Sequence, residues 1–593
     1  MAAAVSSRAH RRIVLVACVS VLLAAVLAGG GASSSPADCA FVNGAEPATL
    51  DPAVITAIPE GRIVRALFEG LVARDPATLE PRPGMAESWE VSPDGLRYLF
   101  HLRRGARWTN GDPVTAGDFA WSFERLLDPR TAAAYASQLF CVSGARAFAT
   151  DVGEGGTPSR SFATVAIRAL PDGGGGSALE IVLERPFPRF LDLLACPQLS
   201  PVNRRSLEEA RARSPGTWQI DWLRPGTLVT NGPYRLLERR ANDRIRLGKN
   251  PGYWDADHVA LETIDALAVE HLATAVNLYL TGEVAWIDQQ PADLASRLCL
   301  REDFRSAPYL GTYFYRVNVA RPPFDDRRVR RALALAIDRE AIVRKVTRAG
   351  EQPLLACVPP SMPGWRGASM AHGASFADDV LEARRLLAEA GFGPGGRALP
   401  AIEIHYNTRE SHKDVAEVVA DSWRENLGLA ARLVNEEWRV FLDTQRRLDY
   451  DVSRSSWIAD TPDPRGFLEI FTTGNENNRT GWSDPRFDAL LSRSDAAVEP
   501  ERSRLLAEAE AILLEELPIL PIYAYATKNL VDPRLGGFYD NALDEHPLKA
   551  WYWRDDAELA EVRARAPAGA ERVACHGPSR GRYAPGDSPR SGR

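Results

Sequence analysis

The sequence predicts an α/β protein of more than one domain, and three observations carry that reading. The chain has 593 residues, 45% of them hydrophobic and 25% charged, an ordinary globular balance with apolar material for a large core and several lobes. In its first third, short apolar strands alternate with turn signals. Further along, strand-like runs alternate with segments of helical periodicity, the pattern of a sheet covered by helices.

At the N-terminus, Arg8, Arg11 and Arg12 precede an uncharged apolar run, Ile13 to Ala28, which gives way to small residues from Gly29 to Ser35. This is the pattern of an export signal, with residues 1–37 as signal and short linker. The run is short for a bilayer span, and no later stretch is long and apolar enough to make one. Leu15-Val16-Ala17-Cys18 superficially resembles a lipoprotein acceptor site. Only Ile13 to Ala17 would precede the cysteine as an apolar stretch, so Cys18 is read as part of the signal, with lipid anchoring as the alternative.

Between Pro81 and Phe119, Ser92-Pro93-Asp94-Gly95 separates the strand Trp89–Val91 from the strand Tyr98–Leu102, and Asn110-Gly111-Asp112-Pro113 marks the next turn. Asp118 through Leu127 reads as a helix. Gly173 to Gly176 is a loop, followed by the alternating Leu179-Ile181-Leu183. Asn231-Gly232-Pro233-Tyr234 opens a strand pair over Tyr234–Leu237 and Arg244–Leu247, and Asn250-Pro251-Gly252 closes it. Helical spacing runs from Arg327 to Ala349 and from Ala377 to Ala390. Strand-like Ile402-Ile404-Tyr406, a helix from Lys413 to Leu427 and strand-like Arg432–Val434 then form an alternating unit. Beyond about Val562 large apolar residues almost vanish, so residues 557–593 are expected to form a disordered tail.

Several function classes are disfavoured. A net charge of -7 and a pI near 5.9 argue against nucleic acid or an anionic membrane as partner. No nucleophile elbow, phosphate-cradling glycine loop or zinc-type His-Glu spacing is present, so catalysis, metal and cofactor are not expected. Of seven cysteines, Cys39, Cys141, Cys196, Cys299, Cys357 and Cys575 would survive signal removal into an oxidising compartment. Their wide spacing leaves open a disulfide or two, or buried thiols.

A family resemblance covers roughly residues 41–555 in order. It rests on Asn43-Gly44-Ala45-Glu46-Pro47, Leu50-Asp51-Pro52, Leu67-Phe68-Glu69-Gly70-Leu71 and Gly84-Met85-Ala86-Glu87-Ser88-Trp89. It continues through Asn110-Gly111-Asp112-Pro113-Val114-Thr115-Ala116, Asn231-Gly232-Pro233-Tyr234, Tyr253-Trp254 and Phe324-Asp325-Asp326. These stretches resemble the bacterial extracellular solute-binding proteins of family 5, the periplasmic peptide-binding cluster. The resemblance implies a periplasmic-binding-protein-like fold of type II, with two hinged lobes and an additional domain. Domain I would comprise 38–68, 199–308 and 530–556, domain II 69–198, and domain III 309–529. It further implies a non-catalytic, exported, periplasmic and monomeric protein whose partners are short peptides and the membrane permease of an ABC importer. Relatives of this fold carrying dipeptides, murein peptides or other small solutes, and an extracellular peptide chaperone or receptor, are the alternatives.

The same resemblance nominates ligand-binding residues. Asp460 matches the aspartate that pairs with a peptide's α-ammonium group, whose lost hydration a carboxylate partly restores. Taken alone, Asp460 before Pro462 would be a turn cap. Backbone at Ser456 and Ile458, and at Ala57 and Ile58 on the other side, matches segments between which a peptide adds as a strand. Trp438 and Trp457 match aromatic pocket walls, although each by itself could equally be core. Arg454 and His412 match positions that meet the C-terminal carboxylate, Arg by its bidentate fork and His412 at the start of a helix. The chain departs from the close family pattern at Gln445, Arg316 and Gln138, and Gly311 and Ile458 stand where a cysteine pair bridges the cleft rim. Arg316 would favour acidic peptides or lie exposed.

Overall fold

The computed structural model describes residues 35–172, 176–393 and 396–565. The apolar run Ile13–Ala28, Cys18, Cys575, the tail after Arg565 and Gly173 to Gly175 lie outside the described residues. No described helix is long and apolar enough to cross a membrane.

Three larger sheets organise the chain. The first orders Cys39–Gly44, Thr263–Ala268, Arg244–Lys249 and Tyr234–Arg240, its first pair parallel and the others antiparallel. The second is antiparallel throughout, in the order Ala86–Val91, Arg97–Leu102, Gly176–Val182 and Ile167–Asp172. Its first turn is the expected one: the Gly95 N–H donates to the Ser92 carbonyl, and Gly95 adopts φ +69° where a side chain would be strained. The third sheet has six strands, ordered Gln352–Pro353, Ile519–Ala526, Pro308–Val317, Val452–Ile458, Ile402–Asn407 and Ala431–Glu436.

The core follows the sheets. One continuous apolar cluster joins the first two, running from Phe41 and Trp286 through Phe100 and Phe119 to Trp551. The six-stranded sheet is covered on both faces. Tyr313, Tyr315, Ile404 and Ile522 pack on one side, and Leu310, Phe314 and Ile519 on the other with Phe467, Phe487 and Leu506. Burial on both faces is what helices on either side of a sheet require.

The helices start where side chains can satisfy their first amides. Thr115 and Asp118 cap Ala116–Leu127 reciprocally. The spacing from Arg327 to Ala349 is not one helix but Arg327–Leu335, then Arg339–Ile342 running on into a wider turn over Val343–Thr347, restarted by the Asp338 carboxylate, which accepts from Ala341 N–H. The tail also departs from expectation at its start, since Asp556–Arg565 is helical. Asp555 and Glu558 cap it, each side chain accepting the other's amide, and its Ala, Glu, Leu and Arg residues favour a helix. Cys299 is disulfide-bonded, whereas Cys141, Cys196 and Cys357 are free thiols.

Two short connections run between the six-stranded sheet and the three-stranded sheet of Trp286–Ile287, Asn529–Val531 and Phe304–Arg305. They are bonded to each other: Thr527 N–H donates to the Ala307 carbonyl at 2.8 Å, and Ala307 N–H to Thr527 Oγ1 at 2.9 Å.

Glu510, fully buried in the helix Glu501–Glu516, fixes the long segment after Gln352–Pro353. Its carboxylate accepts from the amides of Cys357, Val358 and Ala368 at 3.0, 2.8 and 3.0 Å. Burial outweighs these donors and pushes the carboxyl from the ordinary 4.5 up to about 7. A carboxyl raised in the folded state contributes stability that is full below the unfolded pKa and lost as pH rises through the folded one. The thermal midpoint is therefore expected to fall between pH 4.5 and about 7. Glu510→Gln should flatten that part of the profile while lowering stability by about 1–3 kcal/mol, because the Gln side-chain nitrogen cannot accept from a backbone amide as the carboxyl oxygen it replaces does. Calorimetry across the pH range measures both.

Candidate functional site

The strand Val452–Ile458 builds one wall of the site. It pairs antiparallel with Pro308–Val317 over its whole length, but with Ile402–Asn407 only at Val452 and Ser453. Among the described residues, its edge beyond Ser453 is thus without a neighbouring strand. An antiparallel ladder alternates hydrogen-bonded and non-bonded pairs. Ala459 N–H donates to the Leu310 carbonyl, and Asn318 N–H to the Asp451 carbonyl. These two bonds fix the phase: Thr312/Trp457 and Phe314/Ser455 are bonded pairs. Gly311/Ile458 and Tyr313/Ser456 are not, so Ser456 and Ile458 direct their N–H and C=O groups to the open edge.

That edge faces a cavity of about 540 Å³ whose wall includes Ala57, Ile58, Arg454, Ser456, Ile458 and Asp460. The chain therefore gathers six of the nine nominated residues around one space. Strand alternation sends the Trp457 side chain to the opposite face, against the cluster of Phe467 and Phe471. Trp438 lies in Trp438–Arg446, half exposed and stacked on Phe441 with ring centroids 6.1 Å apart. His412 is buried behind the wall, its Nδ1 3.5 Å from the Tyr313 hydroxyl. These three do not line the cavity.

The departures from the family pattern are also placed. Arg316 is neither exposed nor in the cavity. It is buried, donating to Ser455 Oγ at 3.0 Å and to the Asn477 carbonyl, and burial lowers its pKa to about 10. Extra charge from Arg316 is thus unavailable to a ligand. Gln445 is buried too, its amide donating to Ser453 Oγ and the Arg454 carbonyl. Gln138 does line the cavity, and its Oε1 has no hydrogen-bond partner among the described residues, like both side-chain polar atoms of Gln290, another residue of the wall. Gly311 and Ile458 are register partners, and a Cβ on Gly311 would come within 2.8 Å of the Tyr525 ring.

The opposite wall begins the helix Ile58–Leu67. The Ala57 N–H donates to Glu60 Oε2 at 3.0 Å and the Ala57 carbonyl accepts from Gly61 N–H at 3.0 Å. Ala57 backbone is thus largely committed within the chain, and what this side offers a ligand is the Ile58 amide at a helix start, beside an Ile58 side chain 62% exposed.

Charge is unevenly distributed. The carboxylate of Asp460 makes no hydrogen bond or ion pair among the described residues, whereas its carbonyl accepts from Arg74 Nη2 at 3.3 Å. The following turn is clamped by Arg189, donating to the Pro462 carbonyl, and by the buried Asp463–Arg502 pair at 2.8 Å. Asp460 is exposed through the cavity, with the cavity walls close around it. Desolvation raises its carboxyl above the ordinary value, with Arg74 and Arg65 opposing and Glu545 reinforcing the rise. Glu545 itself pairs with Arg65 at 2.5 Å and Arg74 at 2.7 Å, and these two cations hold its carboxyl low against the effect of burial. Arg62 pairs with Asp288 at 2.8 Å and lies 4.4 Å from the centre of the Trp286 ring. Among the described residues no cluster suited to a metal ion occurs.

Sequence reasoning missed Arg62, Arg65, Arg409, Glu545 and Lys528, all on the cavity wall. Arg62 and Arg65 stand three apart on one helix face, and Arg409 directly precedes the helix Glu410–Leu427 that carries His412. Those spacings were available signals. Nothing local marks Glu545 or Lys528.

Residues 80–479 match the bacterial extracellular solute-binding proteins, family 5, in its middle region. The chain belongs to that family. It is a solute-binding protein, not an enzyme. It is 37% identical to the periplasmic oligopeptide-binding protein OppA of Salmonella typhimurium over 504 residues, 84% of this chain and 88% of that protein. Among solved structures it resembles the unliganded open form of the murein tripeptide binding protein MppA, with 31% identity and a TM-score of 0.75, covering 88% of this chain and 98% of the other. A Haemophilus influenzae OppA in complex with RPPGFSPFR is similar at 31% identity and TM-score 0.69, covering 88% of this chain and all of the other. The fold is accordingly that of a type II periplasmic binding protein.

In this solute-binding protein His412 is held neutral. Burial, then Arg454 and Arg409, depress its pKa from 6.5 to about 3. A depressed group contributes stability above its unfolded pKa that is lost as pH falls through the folded one. The His412 ring is expected to stay unprotonated at pH 5 in an NMR titration, and His412→Gln should lessen the loss of stability between pH 6.5 and about 3.

Proposed function

We propose that this exported protein captures short peptides between its closing lobes and delivers them to the membrane permease of an ABC importer, acting as a monomer in the periplasm. The observation that carries the reading is the open edge at Ser456 and Ile458, bracketed by the unpartnered carboxylate of Asp460 and the guanidinium of Arg454. A peptide laid along this edge would find amides and carbonyls at strand spacing, which serve any sequence alike. Its ammonium group would lie at Asp460 and its carboxylate towards Arg454. Gln138 and Gln290 amides supply further adaptable partners for side chains or bridging water.

The ammonium contact is the most exposed to test. Removing one member of an enclosed charge pair strands the other without solvent, commonly at about 3–5 kcal/mol. Asp460→Ala is therefore expected to weaken tripeptide binding by at least about tenfold, and N-acetylation of the peptide should weaken binding to the unaltered protein comparably. Calorimetric titration checks both. Equal affinity for free and acetylated peptide would refute the placement of the ammonium group.

A further inference from the structure

Five basic side chains line the cavity: Arg62, Arg65, Arg409, Arg454 and Lys528. Three already have carboxylate partners, Arg62 with Asp288, Arg65 with Glu545, and Lys528 with Glu351. The remaining two, Arg454 and Arg409, have none among the described side chains.

Arg454 is only 9% exposed, and its Nε has no partner. Its other nitrogens make only long contacts with neutral groups, Asn407 Oδ1 at 3.5 Å and the Tyr525 hydroxyl at 3.4 Å, and it lies over the Tyr313 ring at 4.9 Å. A guanidinium so enclosed without a carboxylate is unusual, since buried charges are ordinarily paired. Arg409 stands two residues beyond Asn407, exposed on the same cavity and immediately before the helix Glu410–Leu427, whose N-terminal end also favours anions. Both cations bear on the intervening His412, which stays neutral and adds no third charge.

The peptide's own C-terminal carboxylate neutralises one guanidinium and leaves the other. We infer that the preferred ligands are peptides whose last residue is Asp or Glu, with Arg409 receiving the side-chain carboxylate and Arg454 the terminal one. The inference rests on the peptide reading above and adds the chemistry of the final residue. Arg suits both tasks, because its planar fork matches a carboxylate with two parallel hydrogen bonds. Arg409 is on this account a specificity residue for ligand choice, contributing charge where the fold leaves an excess of it.

The experiment is isothermal titration of the purified protein with Ala-Ala-Ala, Ala-Ala-Glu and Ala-Ala-Lys, and with the corresponding tetrapeptides. Ala-Ala-Glu is expected to bind about tenfold more tightly than Ala-Ala-Ala, with Ala-Ala-Lys the weakest. Arg409→Gln should collapse the ratio between the glutamate and alanine peptides to within about twofold, and raised salt should shrink it in the unaltered protein. The comparison within the unaltered protein does not depend on any variant folding. Binding of all peptides without preference for the acidic one would overturn this inference and leave the peptide reading standing. Failure of every peptide to bind would overturn both. Preference for the acidic peptide that persists in Arg409→Gln would overturn the assignment to Arg409.

Discussion

In the ladder between Pro308–Val317 and Val452–Ile458, alternate residues of the second strand spend their backbone groups on the first, and the others point away. Because Ile402–Asn407 pairs only as far as Ser453, the outward-pointing set at Ser456 and Ile458 opens onto a cavity instead of another strand. The phase of this ladder governs the rest of the site. It puts Arg454, Ser456 and Ile458 on one face, turns Trp457 to the other, and leads the chain into the turn that holds Asp460. A shift by one residue would exchange the two faces and remove every one of these groups from the cavity.

The surrounding structure commits its charges selectively. Arg74 and Arg65 converge on Glu545, and Arg74 also reaches the carbonyl of Asp460. Asp463 is taken by Arg502. These contacts fix the backbone of the turn while its one cavity-facing carboxylate stays unpaired. A rigid frame around uncommitted charged ends lowers the ordering cost of association, since the groups that meet a ligand are positioned beforehand. The Asp460 end of the cavity is a single unpaired carboxylate among balanced pairs; the other end carries two cations.

Much of this was legible in the sequence, for identifiable reasons. The strand and turn from Val452 to Asp460 are contiguous, so a single stretch of family resemblance nominated Arg454, Ser456, Ile458 and Asp460 together. The strands around Ser92–Gly95 and the unit from Ile402 to Val434 were readable because period and turn residues are local properties. Side-chain direction was not. Arg316, Gln445 and Trp457 have sequence contexts that a cleft residue could share, and only the register shows that they face the core or the back of the sheet. Glu545 and Lys528 reach the cavity from segments far from Asp460 in the chain, where composition carries no trace of the encounter. The helix Asp556–Arg565 was obscured by averaging a short, well-capped segment with the biased residues that follow.

The reciprocal bonds between Ala307 and Thr527 have a mechanical consequence. Two connections tied side by side resist sliding past one another, so the passage between the six-stranded and the three-stranded sheet acts as a single tie rather than as two independent stretches of chain.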